Sequence, residues 1–169
     1  MDAIPQKSPD ISCGLHPVTV AHPRTLILGS FPSTLSLRHA EYYGNSRNHF
    51  WKILGTLLGF DAGLPYPQRI AILTHHHVAL WDVVASCQRP GSADARIMEP
   101  VLNDIAGFVT ARPTLGLIAL NGKTAARFYA RVAAGITVPS VTLPSTSPAN
   151  ARMSFDEKVT RWSVILNDP

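Results

Sequence analysis

Apolar positions along this chain fall into two patterns: short unbroken runs, and longer stretches in which they recur every three or four residues. The runs in "TLILG" (Thr25 to Gly29), His77 to Asp82, "TLGLIAL" and "ITVPSVTLPST" predict four strands. Between them, Trp51, Leu54, Leu57 and Leu58 predict a helix from about Asn48 to Leu58, and a short helix follows Pro67. "EPVLNDIAGFVTARP" predicts a helix stopped by Pro113, and "GKTAARFYARVAAG" a helix ended by Gly135. A last helix lies in "SFDEKVTRWSVIL", where Ser154 and Glu157 have capping-box spacing. "CQRPGSADARI" reads as loop from its Pro-Gly pair. Strands that are apolar throughout are buried on both faces, so the pattern predicts an α/β fold: a three-layer α/β/α sandwich with a central four-stranded parallel sheet. Residues 1–24, rich in Pro and His and without periodicity, read as an N-terminal arm packed on or leading into a single domain over 25–169.

In such sheets ligands bind beyond the carboxyl ends of the strands. Four polar stretches leave strands at that edge: "GSFPS", "WDVVASCQRPGS", "LNGK" and "LPSTSPAN". They are therefore expected to meet around one site. "LPSTSPAN" sets Ser145, Thr146 and Ser147 between Pro144 and Pro148, a stiff turn with hydroxyl and amide donors suited to oxyanions, or simply a polar connection to the last helix. "EYYGNSRNHFW" puts two tyrosines, two asparagines, an arginine and a histidine within eleven residues, a mixture suited to stacking on a base and hydrogen-bonding around it. In the same stretch Asn48 is also a natural helix cap, and Phe50 and Trp51 natural core residues.

Composition narrows the class. With 169 residues, 46% hydrophobic and 15% charged, the chain can bury a real core, and its apolar runs are too short to span a bilayer. The N-terminus lacks a signal-peptide core, so a cytoplasmic protein is expected, on the nucleoid if bacterial. A net charge of +4 permits a polyanionic partner without requiring one. Cys13 and Cys87 are too few for an iron–sulfur cluster and too far apart for metal-ligand spacing. His75, His76 and His77 are adjacent in a turn and cannot all face one ion, so neither metal nor cofactor is expected. Lys123 lacks the remainder of a phosphate-loop signature.

Taken together, "LILGSFPSTLSL", "EYYGNSRNHFW", "ALWDVVASCQRPGS", "LNGKTA" and "LPSTSPAN" resemble the uracil-DNA glycosylase superfamily, most closely its hypoxanthine-DNA glycosylase branch. The resemblance runs from about Gly14 to Trp162. It implies a monomeric, metal-free enzyme that flips a deaminated base out of DNA and hydrolyses its glycosidic bond. Where many members carry a water-activating Asp or Asn after strand one, this chain has Phe31, as the hypoxanthine branch also lacks that residue. By motif position Asn48 is then the expected water-positioning residue, with Asn45 second. The resemblance places Phe31, Tyr43 and Asp82 at the base, Tyr43 where relatives stack an aromatic ring and Asp82 where uracil readers carry Asn. It places Ser33, Lys123, Ser145, Ser147, Ala149, Asn150 and Arg152 toward DNA, with Ala149 at the position of the usual wedge side chain. The vacancy at Phe31 also suits a non-catalytic binder of nucleotides or damaged DNA.

Overall fold

A computed structural model describes residues 10–166. Its central sheet contains β2 (Thr25–Gly29), β3 (Val78–Asp82), β6 (Leu117–Asn121) and β7 (Ser140–Leu143) in the order β3-β2-β6-β7, all parallel. Every residue of β2 is buried, as its unbroken apolar run predicts for a central strand. Successive residues feed opposite faces: Leu26 and Leu28 pack on α4 (Ile105–Thr110) and α5 (Lys123–Tyr129). Ile27 packs instead with α2 (Phe50–Leu58), α3 (Tyr66–His75) and α6 (Phe155–Trp162). The three-layer architecture follows from this alternation.

Helix ends obey local chemistry. Ser154 and Glu157 form the expected reciprocal capping box of α6. Gly59, at φ 74°, closes α2 in the left-handed region. The chain then departs from its sequence pattern in four places. Ser33 caps a short α1 (Thr34–His39) inside a stretch expected to be loop, its hydroxyl accepting from the Ser36 N–H. The stretch expected to be one helix before Pro113 divides: β5 (Met98–Leu102) comes first, and only then α4, which starts where Asp104 accepts from the Gly107 N–H. Glu99 at φ 47° followed by Pro100 disfavours helix there. β4 (Val84–Gln88), part of which was expected as loop, pairs antiparallel with β5 and with β1 (Ile11–Cys13), so a second, three-stranded sheet β1-β4-β5 is present that apolar runs did not announce. Finally, α5 ends at Tyr129, well before the Gly135 turn.

Topology positions the site. From the central β2 the chain moves first to β3 on one side and later to β6 on the other, which makes the carboxyl end of β2 the switch point where a crevice opens. Gly29 ends β2 there, in register with Asp82 at the end of β3, while Asn121 ends β6 on the other flank.

Candidate active site

A cleft of about 1050 Å³ lies over these strand ends. Its floor is built around the missing side chain of Gly29: a Cβ there would sit 2.3 Å from Asp82 Oδ1 and 3.0 Å from the Tyr43 hydroxyl. Glycine therefore lets a carboxyl and a phenol approach the same backbone position.

Asp82 is 4% exposed, and its Oδ2 has no hydrogen-bond partner among the described residues. Burial, then the negative charge of Asp94, push its pKa up to about 7, against the opposing pull of Arg89. These two neighbours come from the loop after β4. Asp94 accepts from the Ser30 hydroxyl at 2.7 Å and lies 3.8 Å from Arg89 Nη1. The buried Arg89 donates to the carbonyls of Pro32 and Gly91, and its guanidinium stands 4.9 Å from the Phe31 ring centroid. Phe31 is thereby a buried wall residue with a cation on its face.

Tyr43 reaches the floor through a left-handed backbone, φ 55°, that is uncommon for a bulky residue and is held in place by packing. One face of its ring stacks on Phe50, centroids 3.8 Å apart. Its hydroxyl accepts from Asn121 Nδ2 at 2.9 Å. The same Nδ2 lies 3.0 Å from Thr146 Oγ1, and Asn121 Oδ1 accepts from the Thr146 N–H at 3.0 Å, so one amide ties the β6 end to both Tyr43 and the Ser/Thr loop.

Asn45 and Asn48 both line the cleft. Asn48 Oδ1 accepts from the Phe50 N–H at 2.9 Å, which satisfies one orphan amide at the start of α2. The N-cap position itself is His49, whose side chain makes no capping bond, so Asn48 supports the helix start from one residue before the cap. A carbonyl oxygen has a second lone pair, and the Asn48 amide N–H groups are additional donors, so this bond and a role in the cleft coexist. Asn45 Oδ1 is engaged with the Arg47 N–H at 3.0 Å. Ser33, Lys123, Ser145, Ser147, Ala149 and Asn150 also line the cleft, whose cationic members include Arg47, Lys123 and Arg161. Arg152, exposed just beyond the loop, does not line it.

Sequence reasoning missed Asn121, Asp94 and Arg89, and it read Thr146 as a loop hydroxyl for an anion where the structure ties it to Asn121. Asn121 had a signal: like Asp82, it is a polar residue that ends an otherwise apolar strand at the carboxyl edge. Asp94 and Arg89 had none, because only the turn of the second sheet carries them to Asp82. Among the described residues, no group of three or more His, Cys, Asp or Glu side chains is disposed to hold a metal ion. No helix among them is long and apolar enough to cross a membrane.

The switch point of this parallel sheet carries a protonatable carboxyl, amides, an aromatic floor and a cationic rim, groups with the donors, acceptors and charge that suit a planar polar group beside an anion. Comparison with known proteins makes this specific. Residues 16–166 match the model of the uracil DNA glycosylase superfamily. The chain is 36% identical over 142 residues to the hypoxanthine DNA glycosylase of Methanosarcina acetivorans, covering 83% of this chain and 89% of that protein. It is 32% identical over 151 residues to that of Methanosarcina barkeri, covering 89% and 94%. A solution NMR structure of a candidate uracil DNA glycosylase from Methanosarcina acetivorans superimposes with a TM-score of 0.80 at 33% identity, covering 94% of this chain and all of that one. The chain belongs to the uracil DNA glycosylase superfamily, and its enzyme class is that of the DNA glycosylases.

Proposed function

We propose that this protein is a monofunctional glycosylase that excises hypoxanthine from DNA as the first step of base excision repair, with uracil and xanthine as secondary substrates. The observation that carries this reading is Asp82: a buried carboxyl with one unpaired oxygen at the floor of the cleft. Hypoxanthine presents a carbonyl oxygen beside a ring N–H. A protonated carboxyl complements that edge fully, donating to the oxygen and accepting from the N–H, whereas an ionised one complements only the N–H. The relatives named hypoxanthine DNA glycosylase support the choice of base.

In the reaction, the bond from C1′ to the base nitrogen breaks with its electron pair going to the base. Water then adds to C1′ and yields a proton that the departed base anion takes up, leaving an abasic sugar and a free neutral base. Asn48 orients that water through its second lone pair and amide donors, with Asn45 as the alternative. Tyr43 offers the ring face not covered by Phe50 to the extruded base, and Phe31 closes the side of the pocket. One chain supplies every group invoked, so a monomer suffices, and no step calls for a metal or cofactor.

The loop from Ser145 to Asn150 grips backbone phosphate. Its tip side chain, Ala149, fills little of the gap a flipped base leaves, which favours mispaired or loosened sites whose extrusion costs least. Ser147 Oγ already accepts from the Ala149 N–H at 3.2 Å, leaving its hydroxyl hydrogen to donate outward. Ser147→Ala is expected to weaken DNA binding by about 1 kcal/mol, the worth of one such bond. Equal affinities for the two proteins across a salt series would remove Ser147 from the interface. Labelled duplexes and single strands holding hypoxanthine, uracil or xanthine opposite each normal base test the substrate assignment. Alkali-sensitive cleavage fastest at hypoxanthine is the expected result, and binding without cleavage of any substrate would leave a non-catalytic damaged-DNA binder.

A further inference from the structure

The loop that follows β7 spends its carbonyl groups inward. Pro144 O accepts from Trp162 Nε1 at 2.9 Å, and Ser145 O from Asn150 Nδ2 at 3.0 Å. Thr146 O accepts from the His49 N–H and Ser147 O from the Asn150 N–H, each at 3.0 Å. Asn150 O accepts from Lys158 Nζ at 2.9 Å. The loop's amides are engaged as well, the Thr146 N–H with Asn121 Oδ1, the Ser147 N–H with Ser145 Oγ and the Ala149 N–H with Ser147 Oγ, so the hydrogens of the Ser145 and Ser147 hydroxyls remain as its donors toward the cleft.

The lysine donor is out of place by ordinary energetics. Lys158, on α6, is 1% exposed, and burying an ammonium is costly unless it is paired. Its pKa is held below the ordinary lysine value by burial, with no neighbouring carboxylate resolved as an opposing cause. The nearby His49 supplies no counter-charge, and its own pKa is lowered by burial first and then by the charges of Lys158 and Lys52. One carbonyl contact would not by itself justify a buried cation where a methionine of similar length would fill the space. Among the described residues no carboxylate pairs with it, and its charge lies behind the loop. Three residues further along α6, Arg161 lines the cleft on the same side.

We propose that Lys158 is the buried cationic base of a subsite for a DNA backbone phosphate, holding the Asn150 carbonyl inward and placing a positive charge behind the Ser145 and Ser147 hydroxyls of the loop. The inference rests on the glycosylase reading for the identity of its ligand and adds the residue that makes the loop electropositive. Lys158 is a positioning residue, since it touches the loop and not the DNA.

The test compares wild-type protein with Lys158→Met and Lys158→Gln, using a fluorescent duplex that holds one hypoxanthine. Affinity is measured over a series of salt concentrations, melting temperature on the same preparations, and single-turnover excision at saturating DNA. Lys158→Met is expected to melt at or above the wild-type temperature yet bind about tenfold more weakly at low salt, as expected for loss of one charge-assisted contact. Its affinity should depend less steeply on salt, because one fewer positive charge acts on the phosphates. Excision from the saturated complex should stay near wild type. Lys158→Gln retains a donor for Asn150 but no charge, and should show the same flattened salt dependence. Unchanged affinity and slope in Lys158→Met, or full recovery of both in Lys158→Gln, would overturn the proposal, as would weaker binding that merely tracks a lowered melting temperature. Wild-type protein that binds without excising would defeat the glycosylase reading while leaving this comparison intact. Wild-type protein that fails to bind DNA would defeat both.

Discussion

Replacing Asn48 with alanine is expected to slow single-turnover excision of hypoxanthine by about 10 to 1,000 fold while DNA affinity stays near the wild-type value, because positioning a water acts mainly in the transition state. The geometry adds a second, smaller effect. Asn48 Oδ1 holds the Phe50 N–H at 2.9 Å, so the substitution also removes a helix-start bond and should cost about 1 kcal/mol of stability. The two effects separate when rate and melting are measured on one preparation. A fall in melting with the rate per folded molecule preserved would confine Asn48 to supporting the helix start and move the water to Asn45, which lines the same cleft.

Asp82→Asn is expected to change the pH dependence of excision rather than its ceiling. With a pKa pushed up to about 7, Asp82 is protonated below that pH and ionised above it. The protonated form offers one donor and one acceptor, as an amide does, and the ionised form offers only acceptors and repels the base's carbonyl oxygen. Wild-type excision should therefore decline as pH rises through about 7, and the Asn variant should not share that decline. The ratio of uracil to hypoxanthine excision should change little on the acidic side. Removing the like charge of Asp94, as in Asp94→Asn, lowers the Asp82 pKa and should move the decline to lower pH. Rates across a pH series for the three proteins check this. A wild-type profile flat through neutrality, unaltered by either substitution, would mean that Asp82 does not read the base.

The parallel sheet was legible because its strands are apolar on both faces, and their register then brings the motif-bearing loops together without further information. Asp82 was legible through the resemblance, at the end of the second strand where uracil readers carry Asn, whereas Asn121, a polar residue that likewise ends its apolar run in "LIALN", went unread. The antiparallel β1-β4-β5 sheet was not. Its strands are short and half exposed, and Val101 and Ile105 at helical spacing fall on either side of the turn from β5 into α4. What that sheet does for the site was equally hidden, since Asp94 and Arg89 are separated from Asp82 by backbone turns that periodicity does not encode. Lys158 carries no signal in the sequence, since a charged residue in an amphipathic helix ordinarily faces solvent, and only its packing beneath the loop distinguishes it.

The most direct test of the central claim is mass balance on a duplex holding one hypoxanthine, incubated with purified protein in the presence of a chelator. The account predicts free hypoxanthine and abasic sites in equal amounts, with the sugar–phosphate backbone intact until alkali is added. Retained binding with no free base, or release of hypoxanthine only as a nucleoside or nucleotide, would contradict it.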